Sequence, residues 1–266
     1  MSDSCPRWPV DGHVHFHEVD RVAPTLDAAA QNFREQGPVS GGLSGVVLLA
    51  QTANERVYEA LAAGGQTAGW TITAAADERE TLVARKGPTA IAIVCGRQVR
   101  TAEGLEVLAL GSVSVFPDGL PFGQTVEQVA DSGAITVLPW GFGKWIGDRG
   151  AQVQSVLNRI GNEKLFLGDN GGRPALMGVP ALIRRSEQRG FRVLPGTDPL
   201  PVTGDHRRVG QFGFLAAPAS SATAPWSALR SWLLARPDSP EPYGRACGTL
   251  RFAINQARLR VAQHRQ

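Results

Sequence analysis

The chain has only three cysteines, Cys5, Cys95 and Cys247, and no two of them share a Cys-x-x-Cys spacing. That scarcity excludes a disulfide framework and a structural zinc knuckle, so the thiols are expected to be reduced. Long apolar runs are missing as well, and none approaches the roughly 20 residues that a bilayer-spanning helix needs. The first nine residues, Met1 to Pro9, show neither the apolar core nor the small-residue cleavage pattern of a secretory signal. A cytoplasmic protein without membrane contact is the expectation.

Strong charge of one sign is absent too. The net charge is +3 over 266 residues, and part of the excess falls on Arg245, Arg251, Arg258, Arg260 and Arg265. This pattern reads as a basic closing helix rather than a nucleic-acid groove, with an anionic partner or phosphate substrate on that face as the alternative. No Gly-x-Ser-x-Gly elbow, P-loop or dinucleotide Gly-x-Gly-x-x-Gly occurs, which removes serine hydrolases, nucleotide hydrolases and Rossmann dehydrogenases. No internal repeat is present.

What is there is a folded-protein composition, 42% hydrophobic and 19% charged, at a length that suits one α/β domain. Gly45 to Ala50, Ala134 to Leu138 and Lys164 to Gly168 are short continuous apolar runs of the kind a covered parallel strand needs. Helical spacing follows in Thr25 to Gln36, Ala53 to Ala63, Thr125 to Ser132, Ala151 to Ile160, Val179 to Arg189, Trp226 to Ala235 and Gly248 to Gln263. Between Trp70 and Leu110 the chain changes to short strands separated by turn residues. Arg97 to Thr101 is expected to pair with Glu106 to Leu110 as a hairpin. Alternating strand, loop and helix units predict a (β/α) barrel-like fold whose strand ends converge on one site.

The most informative segment is Val10-Asp-Gly-His13-Val-His15-Phe-His17, which places three of the five histidines at every second residue. Strand geometry points all three rings to one face, where neighbouring imidazoles can hold one metal ion. An exposed histidine-bearing strand end is the plainer alternative. Asp198 can be a ligand or a turn carboxylate in Gly-Thr-Asp-Pro. Asp169 to Arg173 can receive an anion or simply turn the chain, and Trp140, Phe142, Lys144 and Trp145 can wall a pocket or pack. His17 reads as a third ligand, an acid–base group or a solvated ring, and His206 as a substitute ligand or surface.

In order along the chain, four landmarks resemble the PHP (polymerase and histidinol phosphatase) family, metal-dependent phosphoesterases built on a distorted seven-stranded β/α barrel. They are His13-Val-His15, Gly96 to Gly111, Ser132 to Trp140 and Val193 to Leu200. The resemblance implies a single distorted (β/α)7 barrel domain over 1–266 with an inserted antiparallel hairpin region, its core spanning about 10–215 and a helical extension about 226–264. It also implies a metal set of His13, His15 and Asp198, with Asp169 as a further ligand at a strand end. Gln51, Gln98, Trp140 and Leu200 stand where that family places ligands. The remaining set suffices for one zinc, manganese or iron ion and falls short of a cluster.

The expected function is hydrolysis of a small anionic phosphoester by metal-activated water, with Asp198 and His17 catalytic and Arg173, Lys144 and Trp140 binding substrate. The alternatives are a catalytically inactive ligand-binding protein and a carbon–nitrogen bond hydrolase.

Overall fold

A run in which every residue is apolar can only be a strand if both of its faces are covered. The computed structural model describes residues 7–37, 42–141, 143–171, 178–219 and 223–244, and its central strands are buried along their whole length. The first sheet has eight strands in the order β13-β12-β1-β2-β6-β5-β4-β3. They are β1 (Trp8–Val14), β2 (Gly45–Leu49), β3 (Gly65–Thr67), β4 (Trp70–Ala74), β5 (Thr81–Lys86), β6 (Thr89–Val94), β12 (Phe212–Ala216) and β13 (Pro242–Gly244). The second sheet runs β11-β10-β9-β8-β7, from β7 (Gly96–Arg100), β8 (Glu106–Leu110), β9 (Ile135–Trp140), β10 (Leu165–Asp169) and β11 (Arg192–Pro195).

Alternation along the strands sorts side chains into layers. Val46 and Leu48 join Leu108, Val137, Phe166 and Phe214 in an apolar layer between the sheets. Val47 and Leu49 face outward, under helices α1 (Val22–Arg34) and α2 (Val57–Ala62). The outer face of the second sheet packs under α3 (Phe122–Asp131), α4 (Asp148–Arg159) and α5 (Ala181–Glu187). Trp226 and Leu229 of α6 (Pro225–Leu234) enter the middle layer.

This architecture corrects the expected (β/α)7 barrel. A barrel needs one parallel ladder that closes on itself. Here β12 runs antiparallel to β1, the β3–β5 meander extends the first sheet, and an antiparallel β7–β8 hairpin begins the second. Among the described residues the two sheets stay separate ladders, touching at both edges of the second sheet, through the isolated bridge Gln51↔Arg97 at β7 and through β11 against β1 and β12. The apolar-run signal is the same for a barrel strand and a covered sheet strand, so periodicity carries no closure information. The expected β7–β8 hairpin is present, with Arg97 opposite Ala109 and Arg100 opposite Glu106. The expected helix over Gly248 to Gln263 lies outside the described residues.

The β1–β11 contact is what builds the site, and it depends on two glycines. A Cβ on Gly12 would meet the Pro195 carbonyl oxygen at 2.6 Å, and one on Gly196 would lie 2.3 Å from the His13 amide nitrogen. Away from the site, the buried Arg192 guanidinium lies 4.0 Å from the Phe166 ring centroid and donates to the carbonyls of Leu233 at 2.9 Å and Asn162 at 2.8 Å. It therefore caps the end of α6. Arg192→Met keeps the stem and orphans those acceptors, with an expected loss of about 3 kcal/mol in urea unfolding and no change in metal content.

Candidate metal centre

Beyond β1 the chain stays extended, and its alternation brings three rings into one row. The His13 and His15 centroids lie 5.1 Å apart, and those of His15 and His17 5.4 Å apart and nearly parallel. His13 and His15 are buried, and their Nε2 atoms approach to 3.2 Å. Asp198 comes from the loop after β11, held by its amide donating to the His13 carbonyl at 2.8 Å. Its backbone is left-handed, φ 45°, a conformation aspartate tolerates better than most residues.

Asp198 Oδ1 lies 3.7 Å from His13 Nε2 and 3.6 Å from His15 Nε2. A triangle with sides of 3.2, 3.6 and 3.7 Å has its equidistant point about 2.0 Å from each corner, the length of a zinc–nitrogen or zinc–carboxylate bond. The other oxygen of Asp198 accepts from Asn170 Nδ2 at 2.9 Å, which orients the carboxylate. Gln98 Oε1 stands 3.2 Å from His13 Nε2, adding a neutral oxygen at the same place.

The next layer fixes the rings. Glu55 Oε2 faces His15 Nδ1 at 3.3 Å, so a proton on Nδ1 leaves the Nε2 lone pair for a cation, the arrangement of carboxylate–histidine–metal triads. Both nitrogens of His17 face oxygen, Glu55 Oε1 at 2.7 Å and the Pro199 carbonyl at 2.9 Å. His17, His15 and Glu55 form a second compact group, at hydrogen-bonding distances that knit the Asp198 loop to the histidine strand. Beneath His13, the fully buried Asp11 accepts from the amides of Thr197 and Gly210, both at 2.8 Å, from the Thr197 hydroxyl at 2.6 Å and from the His13 amide at 3.3 Å.

Electrostatics separate the two inner imidazoles. Burial lowers the proton affinity of His13, and neighbouring His15 adds to this against the pull of Asp198. Burial also opposes charge on His15, but Glu55 and Asp198 outweigh it and raise its pKa. Burial pushes the Glu55 carboxyl up, and the hydrogen bonds from His15 and His17 overcome it, holding the group well below the usual carboxylate range. Asp198 is likewise held down, against burial, by His13, His15, Lys144 and Arg208.

Of the residues singled out in the sequence, His13, His15 and Asp198 meet. Lys144 acts on Asp198 through its charge and pairs with Glu106 at 2.5 Å. Asp169 ends β10, with Oδ1 accepting from the Gly171 amide at 3.3 Å. Trp140 lies opposite it in register and packs into the helix-covered layer of the second sheet. Arg173 and Phe142 lie outside the described residues. Gln51 caps α2, its Oε1 accepting from the Tyr58 amide at 2.7 Å, and Leu200 turns the loop as its amide donates to Asp205.

Sequence reasoning missed Glu55, buried in Gln51-Thr-Ala-Asn-Glu55, because the helical spacing from Ala53 placed it inside a helix that begins at Val57. Gln98, one of the positions where the resembled family places a ligand, stands beside His13. A cavity of about 130 Å³ adjoins the centre, between His15, His17, Arg21, His206 and the loop 199–203.

No family model matches the chain, and no curated protein matches it. The comparisons thus assign it neither a PHP domain nor a hydrolase activity. Among solved structures it is similar to the crystal structure of PsfC from Pseudomonas syringae PB-5123, with a TM-score of 0.59 and 13% identity over 97% of this chain and 99% of that one. At that identity the likeness shows a shared fold alone. Among the described residues no helix is long and apolar enough to cross a membrane.

Proposed function

We propose that the chain is a metal-dependent hydrolase of a small anionic phosphoester, holding one zinc, manganese or iron ion through His13, His15 and Asp198. The observation that carries this reading is the triangle of two imidazole nitrogens and one carboxylate oxygen, whose centre lies at bonding distance from all three. Such an ion supplies Lewis acidity and brings the pKa of bound water toward neutrality.

The protein's part is to hold and orient. Glu55 fixes the His15 tautomer, and Asn170 occupies one oxygen of Asp198 so that the other faces the rings. Two neutral nitrogens and one carboxylate leave a divalent ion net positive, suited to an anionic substrate. The charge of Lys144, which acts on Asp198 although paired with Glu106, supports a role in steadying the anion. Gln98 favours a second reading, a metal-holding protein without turnover, because an amide in place of a carboxylate leaves one anionic ligand at the centre.

The test is hydrolysis of p-nitrophenyl phosphate by the full chain, purified without a histidine tag and loaded with zinc, manganese or iron. Turnover that falls at least about 100-fold in Asp198→Asn is expected, the asparagine keeping the left-handed backbone. Stoichiometric metal with no turnover of phosphoester, amide or lactone favours the second reading. Turnover of the amide alone moves the assignment to carbon–nitrogen bond hydrolysis.

A further inference from the structure

We infer that the cavity beside His15 and His17 is an oxyanion subsite, taking a second phosphate or carboxylate group of the molecule whose ester end meets His13, His15 and Asp198. The inference rests on the proposed function for the ester end only; the subsite itself stands on its own lining.

That lining has two sides. Pro199, Leu200 and Val202 provide an apolar wall, and Arg21 and His206 provide the basic edge. The opposing acid, Glu18, faces Arg21 Nε at 3.6 Å with both side chains more than half exposed. A surface pair of that kind is weak, and a planar guanidinium exchanges it for the two-pronged contact an oxyanion offers. His206 stands on the turn Asp205–Arg208, within electrostatic reach of Arg21 and Arg207. Burial, Arg207 and Arg21 lower its proton affinity against the pull of Asp205, so the ring offers the cavity the N–H of a neutral imidazole beside the Arg21 guanidinium.

Size narrows the ligand. At about 130 Å³ the cavity is well under the roughly 300–1,000 Å³ of drug- and cofactor-sized sites, so it admits a group of a few heavy atoms and no nucleotide. Location ties it to the reacting end. The His15 ring lines the cavity while its Nε2 faces Asp198 at 3.6 Å, so the two charged groups of one ligand sit on either side of a single imidazole. The substrate class is a small molecule with a phosphoester and a second anionic group a few bonds away.

The experiment titrates the full chain, stripped of metal with EDTA, with inorganic phosphate and separately with acetate, read by calorimetry and by the imidazole signals of His206. Saturable binding of either anion is expected, weakened at least about 10-fold in Arg21→Gln and in His206→Gln and undiminished in Asp198→Asn. The tighter anion names the group. No saturable binding to the wild type, or affinity in Arg21→Gln within twofold of it, overturns the inference, as does binding lost in Asp198→Asn alone. Failure of the metal reading shows separately, as absent metal uptake, and leaves these titrations unchanged.

Discussion

Asp11→Ala is expected to cost the fold about 5 kcal/mol and to abolish stoichiometric metal uptake even where the variant still folds. The carboxylate accepts from three backbone amides and one hydroxyl in a position with no exposed surface. Removing it leaves those buried donors unsatisfied at about 1–3 kcal/mol each, and opens a small cavity as well. The partners explain the second effect. Thr197 precedes Asp198 in the chain, and the His13 amide is another donor, so one carboxylate sets the ligand loop against the ligand strand. Urea unfolding of metal-free protein reads the first loss, and metal analysis reads the second.

The same residue gives a pH signature. Burial is the largest influence on Asp11 and raises its pKa from 3.8 to about 6, against the four hydrogen bonds that pull it down. A carboxyl whose folded pKa lies above its unfolded value binds its proton more tightly in the fold. Its contribution is therefore complete below pH 3.8 and lost as pH rises through 6, by about 3 kcal/mol. The difference between wild-type and Asp11→Asn stability, measured across pH 3 to 7 without metal, should decline by that amount. A flat difference would show that the hydrogen bonds cancel the burial penalty.

The other large effect is on metal binding. His13→Ala is expected to weaken affinity for zinc at least about 1,000-fold, since one of three ligands leaves and an open two-ligand site remains. Glu55→Gln should cost about 10- to 100-fold, the range for losing a partner that orients a ligating histidine. Gln98→Ala tests whether the amide oxygen joins the coordination, and the same range applies if it does. Competition with a chromogenic chelator ranks the three variants. Equal affinity in wild type and His13→Ala would remove the imidazole from the centre.

Much of this molecule is legible in its sequence, for identifiable reasons. The apolar run Gly45–Leu49 and the turn at Ala102 to Gly104 mark local structure, and local signals survive in the fold as β2 and the β7–β8 hairpin. Closure of a barrel is a non-local property. The antiparallel entry of β12 beside β1 comes from a strand about 200 residues away, and nothing in Phe212–Ala216 announces its direction. At the site, His-x-His carries its own geometry, because period two alone puts both rings on one face. Glu55 and Gln98 carry no such mark. Their roles arise from where α2 begins and from the contact of β7 with β2, through the amide of Gln98 and the carbonyl of Gln51 at 2.8 Å. The glycines that allow β1 and β11 to touch are equally silent in the sequence, since each is one of 31.

X-ray absorption at the zinc edge of the tag-free, zinc-loaded chain tests the central claim most directly. The account predicts two imidazole nitrogens and oxygen ligands at about 2.0–2.1 Å, with one imidazole lost in His13→Ala. A spectrum without imidazole scattering, or one unchanged by that substitution, would contradict it.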